Sequence, residues 1–266
     1  MSHAAKIKIG IAGIAALGLA AIVMAVLFMA GSLVRVRGED EADMPRSYEY
    51  GTAMASNGME LHYLRTRPSN VEPLTVRNNV AAAPYYGING GFFYEDALLS
   101  VSVVNDAPVQ GEPGQYGSGG SNAKYARGTL VWDGALDRLS VQVVRQAKEI
   151  EVTDRSRFWA QGGISMSLTR DEDWAVQAAE EASPLPDRNS LRSAAVYDTE
   201  GNLYLVVSAT KGPLAVFRAA IVERIGAGKL ADGIFLDGDG SSQLRSREKK
   251  LAGDGRPVVQ MLRLIE

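Results

Sequence analysis

Between Gly233 and Leu244 the chain reads Gly-Ile-Phe-Leu-Asp-Gly-Asp-Gly-Ser-Ser-Gln-Leu, a concentration of residue types that do chemistry. Ile234, Phe235 and Leu236 form a short apolar run of the kind that makes a buried strand, and a turn of glycines, carboxylates and hydroxyls follows it. A carboxylate fixed at a strand end, Asp237, is placed to act on a bound molecule. Gly238 and Gly240 let backbone N–H groups approach a ligand closely, while Ser241 and Ser242 add hydroxyl donors. Such a turn suits a phosphate, a sugar or a cation, and Asp-Gly pairs also make ordinary hairpin turns. Asp237, Asp239, Ser241 and Glu248 fall at the first, third, fifth and twelfth positions of a calcium-loop pattern. Ser242 stands where that loop needs glycine, and a strand precedes it where a helix should, which argues against an EF-hand. A looser divalent-cation site on Asp237 and Asp239 stays open, and no other cofactor or metal site is expected.

The remaining chemistry-bearing residues are few. The chain has two histidines and no cysteine, so disulfides and thiolate metal sites are excluded. A Ser-His-Asp triad would rest on His62 alone, since His3 precedes a long apolar segment, and His62 lies in a strand pattern. Asn89-Gly90-Gly91-Phe92-Phe93 supplies residues that tolerate unusual turns, followed by aromatic anchors. Arg192-Ser193-Ala194 opens a strand pattern.

Taken in order, Asn89 to Phe93, Arg192 to Ala195 and Leu236 to Ser242 resemble the phosphodiester glycosidase family. That family has an Asn-Gly-Gly-Phe-Phe segment, an Arg-Thr-Ala segment and a Leu-Asp-Gly-Gly-Gly-Ser-Ser segment. This chain has Ser193 in the second, Asp239 in place of a glycine in the third, and Ser208 to Gly212 where the family commonly has an Asp-Gly pair. The resemblance spans roughly Val80 to Ile265 and implies hydrolysis of a sugar joined through its anomeric carbon to a phosphate. Asp237, Asn89 and Arg192 are then the catalytic set: Asp237 on the sugar side, Arg192 on the phosphate, Asn89 orienting a hydroxyl or the phosphate. Gly90, Gly91, Gly238, Asp239, Gly240, Ser241 and Ser242 would line the substrate, a phosphorylated glycan. Glu95, Asp96 and Asp239 are the candidates for a second carboxylate. The rival reading is a membrane-tethered envelope protein that binds glycan without cleaving it.

These residues need a scaffold, and the sequence outlines one. Strand patterns cover Met59 to Thr66, Leu98 to Val104, Thr129 to Trp132, Leu139 to Val144, Ser193 to Tyr197, Leu203 to Ser208 and Val258 to Ile265. Thr169 and Glu172 have capping-box spacing before a helix predicted over Arg170 to Ala182. A second helix begins near Pro213, with Leu214, Phe217, Ile221 and Ile225 on one face. Strands in hairpins outnumber helices, which predicts an α+β domain with a mixed, mostly antiparallel sheet. The stretch between Thr66 and Val80, rich in Pro and Asn, reads as a loop, and Asp106 to Arg127 as a long one.

Ile9 to Val34 is a run of 26 residues without a charge. At about 1.5 Å per residue it outreaches a hydrocarbon core of roughly 30 Å, so residues 9–34 are predicted to be a transmembrane anchor. Residues 1–8 are then a cytoplasmic N-terminus, 35–57 a polar linker and 58–266 an extracytoplasmic domain, at the periplasm or cell surface. Lys and Arg (28) are interspersed with Asp and Glu (31) for a net charge of -3, which gives no footprint for nucleic acid.

Overall fold

The structure is a computed structural model describing residues 44–266. Three antiparallel sheets make up most of it. The largest has six strands in the order β1 (Glu49–Met54), β2 (Glu60–Thr66), β14 (Leu203–Ser208), β13 (Ser193–Asp198), β15 (Leu230–Phe235) and β12 (Ile164–Ser165). A second runs β10 (Arg138–Val144), β9 (Arg127–Asp133), β11 (Phe158–Gly162), β7 (Ser102–Val104) and β8 (Ala107–Pro108). The third runs β17 (Lys250–Leu251), β16 (Leu244–Arg245), β4 (Gly87–Asn89), β18 (Val258–Leu264) and β3 (Val71–Asn78), and β5 (Phe93–Tyr94) pairs only with β6 (Ala97–Leu98). With two α-helices among the described residues, Trp174–Glu180 and Leu214–Arg224, this is a β-rich α+β fold. Every strand pairing among the described residues is antiparallel, so the sheets are not mixed.

The helix Leu214–Arg224 covers the six-stranded sheet. Its Leu214, Phe217, Ala220 and Ile221 pack with Ala194 and Val196 of β13, Val206 of β14 and Phe235 of β15. Phe217 and Ile221 are fully buried, each worth about 1.5–3 kcal/mol of apolar burial. That packing fixes the end of β15, from which Asp237 projects. A second apolar cluster, with Val101, Val103, Val131, Phe158 and Ala160, holds the β7–β9–β11 sheet.

Three elements differ from the sequence reading, each for a physical reason. Residues 49–54, read as part of the 35–57 linker, form β1, so the domain begins ahead of residue 58. β1 is an edge strand with polar, partly exposed side chains, which is why it resembles a tether. Gly51 passes under the Tyr63 ring, where a Cβ would come within 2.2 Å of it. The stretch read as a Pro- and Asn-rich loop contains β3. Pro73 sits there opposite Leu262 because β3 is an edge, where a missing N–H costs no ladder bond. The helix predicted from Arg170 starts at Trp174 and has no capping side chain. The buried Arg218 guanidinium takes the Met166 and Ser167 carbonyls and pairs with Asp171, which holds the preceding residues in turns instead.

Among the described residues no helix is long and apolar enough to cross a membrane. The predicted 9–34 anchor lies outside them.

Candidate active site

β13 and β15 are neighbours, with Ala194 opposite Phe235. The pairing continues beyond the strand ends: Leu236 N–H donates to the Ser193 carbonyl at 2.9 Å and Asp239 N–H to the Leu191 carbonyl at 2.7 Å. Arg192 therefore lies beside the Asp237 turn, and a Cβ on Gly238 would sit 3.8 Å from Arg192 Cδ and 3.9 Å from its Nη1. β4 arrives from the third sheet. Asn89 Nδ2 donates to the Asp237 carbonyl at 2.8 Å, and Asp237 N–H donates to the Gly90 carbonyl at 3.2 Å.

Asn89 is fully engaged. Its Nδ2 also donates to the Gly90 carbonyl (3.2 Å), while its Oδ1 accepts from Ser193 Oγ (2.8 Å) and Gln243 N–H (3.1 Å). A side-chain amide has two donor hydrogens and two acceptor positions, and all four are taken within the protein. The backbone of the segment is equally occupied. N–H groups of Asn89, Gly90, Gly91 and Phe92 donate to the Gln243 carbonyl, the Gln260 carbonyl, Gln260 Oε1 and Ser100 Oγ respectively. The two glycines are there for closeness: a Cβ on Gly90 would meet Gln260 Oε1 at 1.8 Å, and one on Gly91 would meet Gln161 Nε2 at 2.6 Å. Asn89, Gly90 and Gly91 thus hold the Asp237 turn from beneath, with their N–H groups and the Asn89 amide all engaged within the protein.

Asp237 and Arg192 are arranged differently, and both line one pocket of about 100 Å³ together with Phe92, Arg188, Gly238 and Asp239. Asp237 keeps some surface open, yet protein encloses it on most sides. Loss of hydration pushes its pKa up to about 6; the Ser241 hydroxyl, the Gly238 N–H and the Arg256 charge oppose that rise, and Asp239 adds to it. Arg192 is buried, with Nε donating to the Gly212 carbonyl at 3.1 Å and Nη2 to the carbonyls of Leu185, Pro186 and Arg188 at 3.1, 3.3 and 2.6 Å. Among the described residues Nη1 has no hydrogen-bond partner. Burial pulls the Arg192 pKa down; Asp239 works against that and Arg188 with it.

Asp239 turns to Arg188, with carboxylate and guanidinium 3.6 Å apart across the pocket mouth. Among the described residues no group of three or more His, Asp or Glu side chains gathers as a metal site. Gly238 accommodates the close Leu191 carbonyl, and Gly240 carries the Asp254 carboxylate against its Cα. Ser241 and Ser242 are buried, and among the described residues Ser242 Oγ has no hydrogen-bond partner. Glu95 and Asp96 are exposed in the β5–β6 turn and do not line the pocket. His62 is a strand residue whose ring lies between Tyr50 Oη (2.7 Å) and Glu60 (3.1 Å).

Arg188, Arg256 and Asp254 escaped the sequence reading. Arg188 stands in a proline-rich connection and Arg256 after Asp254-Gly255, both of which read as plain turns. Only the fold brings them to Asp237 and Asp239. A wider groove of about 620 Å³ along the β9–β10 hairpin contains none of the motif residues.

The fold has a counterpart among solved structures. It is similar to the catalytic domain of zebrafish N-acetylglucosamine-1-phosphodiester alpha-N-acetylglucosaminidase, described as auto-inhibited by its pro-peptide. The TM-score is 0.56 at 16% identity, with 84% of each chain covered. An exported protein of Burkholderia pseudomallei aligns at a TM-score of 0.37 and 18% identity, covering 84% of this chain and 58% of that one. No protein-family model matches the chain, and no curated protein matches its sequence.

Proposed function

We propose that this protein hydrolyses a sugar-1-phosphodiester. One juxtaposition carries the reading: a carboxylate with its pKa lifted to about 6 shares a pocket with a buried guanidinium that keeps one nitrogen free. The likeness in fold to the zebrafish phosphodiester glucosaminidase domain supports it. In this reading the phosphate takes the Arg192 Nη1 edge, already oriented by four carbonyls, so little ordering is left for the ligand to impose. The anomeric carbon then faces Asp237. As the C1–O bond breaks, its electron pair leaves with the phosphate, which needs little acid assistance. The ionised Asp237 stabilises the positive charge growing on the sugar and receives the proton of the attacking water. Asn89 acts through Asp237 by fixing its backbone. Residues 183–190, which form the outer wall, must shift to admit a sugar, because about 100 Å³ accommodates a phosphate and little more.

The test is hydrolysis of a panel of sugar-1-phosphodiesters in ¹⁸O-labelled water by the full chain. The label should appear on the released sugar. Label on the phosphate would make the protein a phosphodiesterase, and no release from any member would remove the reading. Arg192→Ala should raise KM by roughly 10- to 150-fold, the equivalent of a lost charged hydrogen bond. The reading also places the domain outside the cytoplasm, tethered through residues 9–34. Protease added to spheroplasts should therefore digest it, and full protection until lysis would contradict that placement.

A further inference from the structure

A second concave surface adjoins the Asp237 pocket. It has a volume of about 690 Å³, within the roughly 300–1,000 Å³ typical of ligand sites. Three tyrosines line it and stand exposed: Tyr94 (66%), Tyr116 (73%) and Tyr125 (45%). Its charged lining residues are Lys124, Arg127 and Arg145, with no carboxylate among them, on a chain whose net charge is -3. Among the described residues none of these three cations makes an ion pair.

Arg127 joins the groove to the pocket. Its guanidinium lies 5.3 Å from the centre of the Phe92 ring and 5.7 Å from that of Tyr125, and its Nε donates to the Glu181 carbonyl at 3.0 Å. Phe92 itself lines the pocket that holds Asp237. Exposed aromatic faces clustered on one surface signal a ligand rather than chance, because their apolar area is otherwise left in water. The cations between them select negative charge, Lys124 and Arg145 from exposed positions and Arg127 within the field of the buried Glu181 carboxylate.

We propose that this groove binds an anionic oligosaccharide, whose sugar rings stack on the tyrosines while its phosphate or carboxylate groups meet Lys124, Arg127 and Arg145. A saccharide fits better than a nucleic acid. The cations are only three, Arg127 is partly buried and tied to a carbonyl, and the overall charge repels a long polyanion. The alignment of groove and pocket along one substrate rests on the hydrolase reading, whereas binding in the groove does not.

The experiment uses the full chain in detergent, carrying Asp237→Asn so that no substrate is consumed. Its affinity is measured by calorimetry for phosphorylated pentamannose, for the same pentasaccharide without phosphate, and for decathymidylate. The phosphorylated sugar should bind at least about 10-fold tighter than the neutral one, as expected when a charged hydrogen bond is added. Tyr116→Ala and Arg145→Gln should each weaken it by roughly 5-fold or more while leaving the melting temperature unchanged, since both side chains are exposed. Equal affinity for both sugars, no loss in the variants, or tighter binding of decathymidylate would overturn the proposal. If the parent hydrolyses none yet the groove binds as described, the hydrolase reading fails alone.

Discussion

Two segments that look alike in the sequence, Asn89-Gly90-Gly91 and Asp237 to Ser242, part ways in the structure. Both combine glycines with short polar side chains. In the first, every amide N–H from Asn89 to Phe92 and every position on the Asn89 side chain is bonded within the protein. In the second, a carboxylate is held short of full hydration, and among the described residues neither Ser242 Oγ nor Nη1 of the neighbouring Arg192 has a hydrogen-bond partner. The backbone N–H groups of Asp237, Asp239, Ser241 and Ser242 are bonded as well, so the difference between the segments lies in the side chains: in the proposed reading the saturated Asn89 amide supports, and Asp237 with Arg192 meets the ligand. Close neighbours demand glycine in both: Gln260 and Gln161 against Gly90 and Gly91, the Leu191 carbonyl and the Asp254 carboxylate against Gly238 and Gly240.

The largest effect separating the two regions is expected from Gly90→Ala. Its Cβ would land on Gln260 Oε1, itself buried and bonded to Gly91 N–H, so nothing nearby can yield. A loss of about 3 kcal/mol or more is expected, read as a fall in melting temperature of roughly 10 °C or as failure to fold. A fully stable Gly90→Ala protein would break the comparison. Asn89→Ala comes next. It strands the Asp237 carbonyl, Ser193 Oγ and the Gln243 N–H, and should cost on the order of 2–4 kcal/mol by denaturant titration. Gly240→Ala sits at the other end. The atoms nearest the new Cβ all belong to the Asp254 carboxylate, a half-exposed side chain paired with Arg256, which can swing aside. The stability change should stay within about 1 kcal/mol, the scale of a surface ion pair.

Much of the scaffold was legible because its strands are long and patterned. β9 with β10, β13 with β14, the helix from Leu214 and the final strand all lie close to where apolar alternation and turn residues put them. What escaped was set by distant partners. β1 and β3 are edges, so their side chains lack the regular burial that makes a strand readable. The helix at Trp174 is shortened by an arginine more than 40 residues downstream, Arg218. The sequence singled out Asp237, Arg192 and Asn89 by type and motif. It could not distinguish the role of Asn89 from that of Asp237, because saturation of the Asn89 amide depends on Ser193 and Gln243, and no local pattern announces either. Arg188 and Arg256 were invisible for the same reason.

The raised pKa of Asp237 links stability and activity in opposite senses. A carboxylate whose folded pKa lies above its unfolded value of about 3.9 stabilises the fold below that value, and the contribution is lost as pH rises through about 6. Above pH 6 the ionised Asp237 is therefore a burden on the fold, and it is also the form the proposed chemistry uses. Hydrolysis should accordingly rise with pH through an apparent pKa near 6, a limb that Asp237→Asn should abolish.

The most direct test of the account measures kcat and melting temperature together for Asp237→Asn at pH 7.5. Asparagine is nearly isosteric and carries no charge to desolvate, so the account predicts a kcat at least about 100-fold lower with stability higher by on the order of 2 kcal/mol. An unchanged kcat, or a loss of activity accompanied by a lower melting temperature, would mean that Asp237 only shapes the turn, and would contradict the account.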